Sequence, residues 1–281
     1  MSDTTFAQPH SASTEASNTG AQGAFIWYEL ITPDAVAAKT FYDAVVGWTI
    51  EPQPSGEMDY RMITRADGGN AGGVMRLTDE MRGHGARPIW LGYVGVDDVD
   101  ASVASIETAG GKALMPAFDI PDVGRIVMVT DPQGTPFYVM TPTPPADRPA
   151  SVSDVFDPVK AQHVRWNELA TADQDAAVQF YTSHFGWAQE GGMDMGEMGQ
   201  YLFVQQNGVG IGAIMRKPPQ LPVSLWTYYF GVDDIDRAQA AVTAGGGQIL
   251  HGPMEIPGGE FSLNGLDPQG ASFGLVGPRK S

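Results

Sequence analysis

Residues 27–34 read WYELITPD, and residues 166–173 read WNELATAD. The echo continues downstream at nearly the same spacing. Phe41, Gly47 and Trp48 match Phe180, Gly186 and Trp187, and VMR at 74–76 returns as IMR at 214–216. GVDDVD at 95–100 returns as GVDDID at 231–236, TAGG at 108–111 as TAGG at 243–246, and DPQG at 131–134 as DPQG at 267–270. A few loop insertions account for the small drift in offset, so the chain is a duplicated domain.

The 281 residues suit two domains, and a hydrophobic content of 42% gives each a core of its own. The boundaries fall out of composition. Residues 1–22 are a polar tail, expected to be disordered, and 23–142 form the first domain. Residues 143–160 are a Pro-rich linker, and 161–278 form the second domain. There is no apolar run of about 18 residues, so no membrane partner is expected. The absence of cysteine excludes disulfides, thiolate chemistry and cysteine-ligated metals, and fits a cytoplasmic location. A net charge of −17 repels phosphate backbones and argues against nucleic acid as a partner. It makes a solubilising surface and would also favour a cationic ligand.

Each half reads as strand, helix and strands, twice over. Phe25–Ile31 is strand-like. Thr32 then caps a helix, Pro33 suits its first turn, and Asp34 favours its positive end. Val36, Phe41 and Val45 share a helical face, and Gly47 ends it. Short strands follow at about 60–65 and 73–77. A second unit runs through strand 89–96, a helix from Asp97-Asp98 to about Thr108, and strands at 113–115, 124–130 and 137–140.

These features resemble the vicinal oxygen chelate superfamily, which includes glyoxalase I, bleomycin-resistance proteins and extradiol dioxygenases. The resemblance rests on Phe41-Tyr42…Gly47-Trp48 and Phe180-Tyr181…Gly186-Trp187, on Val96-Asp97-Asp98, on Asp131-Pro-Gln-Gly134, and on the repeats of the last two. It covers about residues 24–142 and 161–277. With the W-x-E-L-x-T-x-D openings, the chain is most similar to two-domain glyoxalase-like proteins of actinobacteria. The resemblance implies an α+β fold: four βαβββ modules in tandem domains, forming two cup-shaped curved sheets. In metal-dependent members, His, Gln or Glu side chains hold a divalent ion at the cup floor.

The ligand positions that the resemblance implies are filled by the wrong residue types. Counting from the helix-opening Asp gives Trp27 and Trp166, then Leu91 and Thr227 in the second modules. Counting from the DPQG Asp gives Tyr138 and Gly274. A strand near 74–76 or 214–216 adds no carboxylate or imidazole. His10, His84, His163, His184 and His251 show no ligand spacing and no matched repeat partner. No metal site and no cofactor are therefore expected, and a divalent ion would require a displaced ligand set.

Glu29 and Glu168 stand mid-strand in apolar runs, where a carboxylate must be hydrogen-bonded, paired or neutralised. They are the candidate catalytic residues, as acid–base groups, with a packing role as the alternative. Arg76 and Arg216 end equivalent strands, where each could pair with the glutamate or clamp an anion. Trp27, Trp90, Tyr138, Trp166 and Trp226 are candidate ligand-binding aromatics on strands that line or back the cups. The halves differ at Tyr28 against Asn167, Gly92 against Tyr228 and Tyr138 against Gly274, so two identical sites are not expected. Two functions remain open: a metal-free protein that binds a small hydrophobic or aromatic molecule, by sequestration or sensing, and a glyoxalase-like lyase, isomerase or dioxygenase. The internal duplication predicts a monomer.

Overall fold

A computed structural model describes residues 21–54, 56, 58–147 and 151–280. The tail up to residue 20 lies outside them. The first module is β1 (Phe25–Thr32), α1 (Ala35–Val46), β2 (Thr49–Ile50), β3 (Tyr60–Thr64) and β4 (Asn70–Arg76). A short helix, α2 (Asp79–Gly83), leads to the second module. That module is β5 (Ile89–Gly95), α3 (Val99–Thr108), β6 (Lys112–Ala113), β7 (Phe118–Ile120), β8 (Gly124–Thr130) and β9 (Pro136–Pro142). The third is β10 (Val164–Thr171), α4 (Gln174–Phe185), β11 (Ala188–Asp194), β12 (Gln200–Gln206) and β13 (Val209–Arg216). The fourth is β14 (Leu225–Gly231), α5 (Ile235–Ala244), β15 (Gln248–Glu255), β16 (Phe261–Leu266) and β17 (Ser272–Gly277).

Each pair of modules shares one open, curved sheet. The first runs β2-β3-β4-β1-β5-β9-β8-β6, with β7 on β8, and the second runs β11-β12-β13-β10-β14-β17-β16-β15. At the centre β1 lies antiparallel to β5, and β10 to β14, so the openings of two modules meet in the middle of each sheet. Among the described residues no helix is long and apolar enough to cross a membrane.

Local chemistry sets the elements, with two departures from expectation. The cap of α1 is Asp34, whose side chain accepts from the Val36 and Ala37 amides, while Thr32 is still strand. Asp98, Asp173 and Asp234 cap their helices in the same way. Gly47 and Gly186 end α1 and α4 with φ of 86° and 67°, a conformation that a Cβ disfavours. Val36 is exposed; the buried face of α1 is Ala35, Ala38, Phe41, Tyr42, Val45 and Val46.

The helix-bearing faces of the two sheets pack against each other, and one apolar core spans both domains. Tyr28 donates to Asn167 Oδ1 at 2.8 Å, and Tyr228 accepts from the Gly92 amide at 2.7 Å. At two of the three positions that differ between repeats, the unlike residues are thus partners across the domain boundary. Tyr228 has no room for a side chain opposite it, since a Cβ on Gly92 would lie 2.8 Å from its hydroxyl.

The repeated motifs also cross over. Asp131 Oδ1 accepts from the amides of Gln133 and Thr135, closing the DPQG turn, and its Oδ2 accepts from Tyr181 of the other domain at 3.2 Å. Asp267 mirrors it, accepting from Tyr42 at 3.1 Å. Trp90 Nε1 donates to Tyr42 at 2.8 Å and Trp226 Nε1 to Tyr181 at 3.1 Å. The indoles of Trp48 and Trp187 reach the Gln162 and Gly23 carbonyls, again across the boundary. Ala21 is buried in the first domain, while Gln22 bridges both: its Oε1 accepts from the Asp97 amide and its carbonyl from Gln206 Nε2. In the linker, Val155 is buried, and Asp154 pairs with the buried Arg65 at 2.6 Å.

Candidate functional site

With helices filling the inner faces, the outer face of each sheet stays open. Strand alternation decides what it presents. On β1, Tyr28 and Leu30 enter the shared core, while Ile31 joins a second apolar cluster on the open face, with Trp27 packed against it. Glu29, between Tyr28 and Leu30, shares the face of Trp27 and Ile31. In register it faces Leu91 on β5 and Gly73 on β4.

Glu29 is 2% exposed and meets tyrosines. Tyr93 donates to its Oε2 at 2.9 Å. Tyr60, held by Trp27 Nε1 at 2.8 Å, leans over Gly73, where a Cβ would lie 2.1 Å from the phenol oxygen. Tyr138 stacks on Tyr93 with ring centroids 4.2 Å apart. Burial pushes the Glu29 carboxyl up to about 7, against the opposing pull of the Tyr93, Tyr60 and Tyr138 hydroxyls. Burial, and next the Glu29 charge, raise all three phenols in turn. Glu29 Oε1 is buried without a hydrogen-bond partner among the described residues.

The second domain repeats the plan with different satisfaction. Glu168 is only partly buried. Tyr201 donates to Oε2 at 2.7 Å and Tyr229 to Oε1 at 3.2 Å, so both oxygens are engaged. Trp166 Nε1 holds Tyr201 at 2.7 Å, as Trp27 holds Tyr60, and Asn264 Nδ2 holds Tyr229 at 2.8 Å. Burial raises the Glu168 carboxyl, and the Tyr201 and Tyr229 hydroxyls oppose it.

The structure therefore gathers Trp27, Glu29 and Tyr138 on one open face and Trp166 and Glu168 on the other. It removes Trp90 and Trp226 from that group. Both are buried in the shared core on the helix-bearing faces, donating to Tyr42 and Tyr181, because each stands one residue out of phase with the open face. Arg76 and Arg216 are exposed at strand ends, and no ion pair joins either to Glu29 or Glu168 among the described residues. Each follows an open-face methionine, Met75 or Met215, so alternation turns it to the other side. Within the second modules, Leu91 and Thr227 do face the open side, but Tyr93 and Tyr229 are the residues that reach the glutamates. Tyr60, Tyr201 and Asn264 were not singled out from sequence. The two tyrosines lie at the starts of equivalent strands, first in β3 and second in β12, and extending the repeat comparison to them is the signal that finds them.

A divalent ion needs several converging donors that give up their protons readily. One carboxylate among phenols whose ionisation burial disfavours does not supply them. No group of three His, Cys, Asp or Glu side chains converges among the described residues. His163 and His184 turn Nδ1 to the carbonyls of Ala161 and Phe180, His84 is exposed on a loop, and His251 lies on β15. The residues present do not fit the metal that the resemblance implies.

Comparison with known proteins agrees with the fold. The profile of the Glyoxalase/Bleomycin resistance protein/Dioxygenase superfamily matches residues 24–139 and 160–275. The chain is 35% identical over 261 residues to "Putative glyoxylase CFP32" of Mycobacterium tuberculosis, covering 92% of this chain and 95% of that one. It is 28% identical over 276 residues to "Anthracycline biosynthesis protein DnrV" of Streptomyces peucetius, covering 91% and 94%. Among solved structures, it is similar to the Mn(II)-bound glyoxalase from Novosphingobium aromaticivorans. The TM-score is 0.61 at 18% identity, over 91% of this chain and 82% of that one. An extradiol ring-cleaving dioxygenase from B. fuscum gives 0.61 at 17% identity, over 91% and 72%. At such identities the likeness is one of fold.

Proposed function

Because the chain belongs to the glyoxalase/bleomycin resistance protein/dioxygenase superfamily, yet its open faces carry a donor set unsuited to a divalent ion, we propose that it binds a small aromatic molecule without a metal. A hydroxyl or carbonyl of that molecule is held at the glutamate–tyrosine cluster. The observation that carries this reading is the repeated constellation: a carboxylate on the open face, ringed by Trp27, Tyr60, Tyr93 and Tyr138, or by Trp166, Tyr201 and Tyr229, with no basic partner among the described residues. Aromatic walls supply contact area for a flat ligand, and the carboxylate and phenols fix its polar end. A relative whose printed name places it in anthracycline biosynthesis supports hydroxylated polycyclic aromatics as the first class to test. The protein is expected to bind such a compound, 1,4-dihydroxyanthraquinone for example, with unchanged affinity in EDTA. Loss of binding on chelation would refute the metal-free reading.

A second reading is acid–base catalysis, favoured by Glu29, whose carboxyl is pushed up to about 7 and whose Oε1 has no hydrogen-bond partner among the described residues. A group poised there can accept or return a proton at neutral pH. Conversion of the bound compound that disappears in Glu29→Gln, with binding retained, would establish it. Binding without turnover in the wild-type protein would remove it.

A further inference from the structure

The two open faces follow one plan but are finished differently. In register across the first sheet, Trp27, Tyr93, Tyr138 and Met128 form one row. The corresponding row of the second sheet is Trp166, Tyr229, Gly274, Asn264 and His251. Two large apolar or aromatic side chains, Tyr138 and Met128, are thus replaced by none and by an amide. One level away, Thr227 stands where the first domain has Leu91, and Ser262 where it has Ile126.

The consequence for packing is plain. Among the described residues, the first face closes into a cluster of nine buried apolar residues, including Leu91, Tyr93, Ile126, Tyr138 and Met140, with four further methionines packed against it. The equivalent cluster of the second domain has four buried members, and Trp166, Met193 and Phe203 border it half-buried. Glu29 is closed in, whereas Glu168, Ser262 and Asn264 keep part of their surface in solvent.

Hydrogen bonding separates the faces in the same sense. Asn264 donates to Tyr229, and Tyr229 donates to Glu168, forming a chain that runs across three strands. Asn264 is half-buried, and among the described residues its amide makes no other side-chain hydrogen bond, so its carbonyl oxygen and second amide hydrogen are left to pair with a ligand. In the first domain the thioether of Met128 occupies the position of Asn264, so no amide heads the Tyr93–Glu29 pair there.

Resting on the aromatic-ligand reading, we infer that the second domain alone holds the ligand and that the first is a filled scaffold. The ligand is a flat aromatic bearing a ketone or phenol oxygen. Its rings lie against Trp166, Phe203 and Met193, and its oxygen meets Asn264 at the head of the Tyr229–Glu168 chain. The methionine suits ligands of varied outline, because an unbranched thioether adapts its shape. An amide that both donates and accepts can pair a ketone or a phenol equally well.

The test transplants the first domain's residues into the second, and the reverse. Binding of 1,4-dihydroxyanthraquinone to the full chain is followed by its visible absorbance and by calorimetric stoichiometry. The wild type is expected to take one equivalent. Asn264→Met and, separately, Thr227→Leu are expected to weaken binding at least about tenfold, while Met128→Asn leaves it within about twofold. Two bound equivalents would overturn the inference and leave the aromatic-ligand reading standing. So would sensitivity to Met128→Asn with indifference to both second-domain changes. No binding by the wild type would instead fell that reading, and the inference with it.

Discussion

Replacing Glu29 by Gln tests the buried carboxylate through stability, without any ligand. Its folded-state pKa is raised from 4.5 to about 7, first by burial. A carboxyl raised in the folded state holds its proton there while the unfolded chain has released it. Its contribution to stability is therefore fully present below about 4.5 and is lost as pH rises through about 7. At about 1.4 kcal/mol per pH unit, the interval is worth about 3 kcal/mol, since the side chain is almost wholly shielded from solvent. Glu29→Gln carries no charge at any pH and lacks this term. Its own cost, an amide N–H placed where Oε1 has no partner among the described residues, is about 1–3 kcal/mol and independent of pH. Urea unfolding of both proteins between pH 4.5 and 8.5 isolates the difference. Relative to the wild type, the variant should gain about 3 kcal/mol over that range, with most of the change below pH 7. A difference constant to within about 0.5 kcal/mol would show that Glu29 is not held in an environment that favours its neutral form.

Tyr42→Phe leaves the Trp90 indole N–H unpaired and removes one donor from the buried Asp267; the expected loss is about 2–5 kcal/mol in urea unfolding, and a change under about 0.5 would dismiss the crossed contact. Tyr181→Phe, which touches Trp226 and Asp131, should cost a similar amount. Gly73→Ala places a methyl group 2.1 Å from the Tyr60 oxygen and should push that ring off Glu29. The change should break the Trp27 hydrogen bond and shift tryptophan emission, and unaltered emission with unaltered stability would contradict it. Light scattering should return the mass of a single chain, because duplication already pairs two domains; a stable dimer would refute this.

The fold was legible because duplication prints every module boundary twice, and each capping Asp and terminating Gly appears in both copies. Glu29 and Glu168 could be placed on the open face for a similar reason: a carboxylate in a run of apolar residues stands out, and alternation with Trp27 and Trp166 fixes its side. The same alternation, applied to β5 and β14, separates Trp90 from Tyr93 and Trp226 from Tyr229. Large aromatic side chains look alike as wall candidates until the phase of the strand is counted. Tyr60 and Tyr201 were hidden for another reason. Their strands reach the glutamates through hairpin pairing with β4 and β13, and register across a hairpin depends on turn geometry that composition does not reveal. Helix α2 spans five residues, too short for a helical period to emerge. The DPQG turn was visible as a turn, but its second carboxylate oxygen bonds to a tyrosine 50 residues away in one copy and 225 in the other. No local pattern specifies such a contact.

That crossed pairing gives the two halves an obligation to each other. Each half donates a tyrosine that completes the other's closing turn, and Tyr28 and Tyr228 each find their hydroxyl partner beyond the boundary. A half-chain made alone would carry a buried carboxylate short of a donor and an aromatic surface with nothing to cover it. Either would have to pair with a second copy of itself, and the mismatch of Tyr28 with Asn167 and of Gly92 with Tyr228 would then set two tyrosines, or two small side chains, face to face. The present chain is thus committed to staying double: cutting it between the domains should give two fragments that remain together and reassemble only as unlike partners.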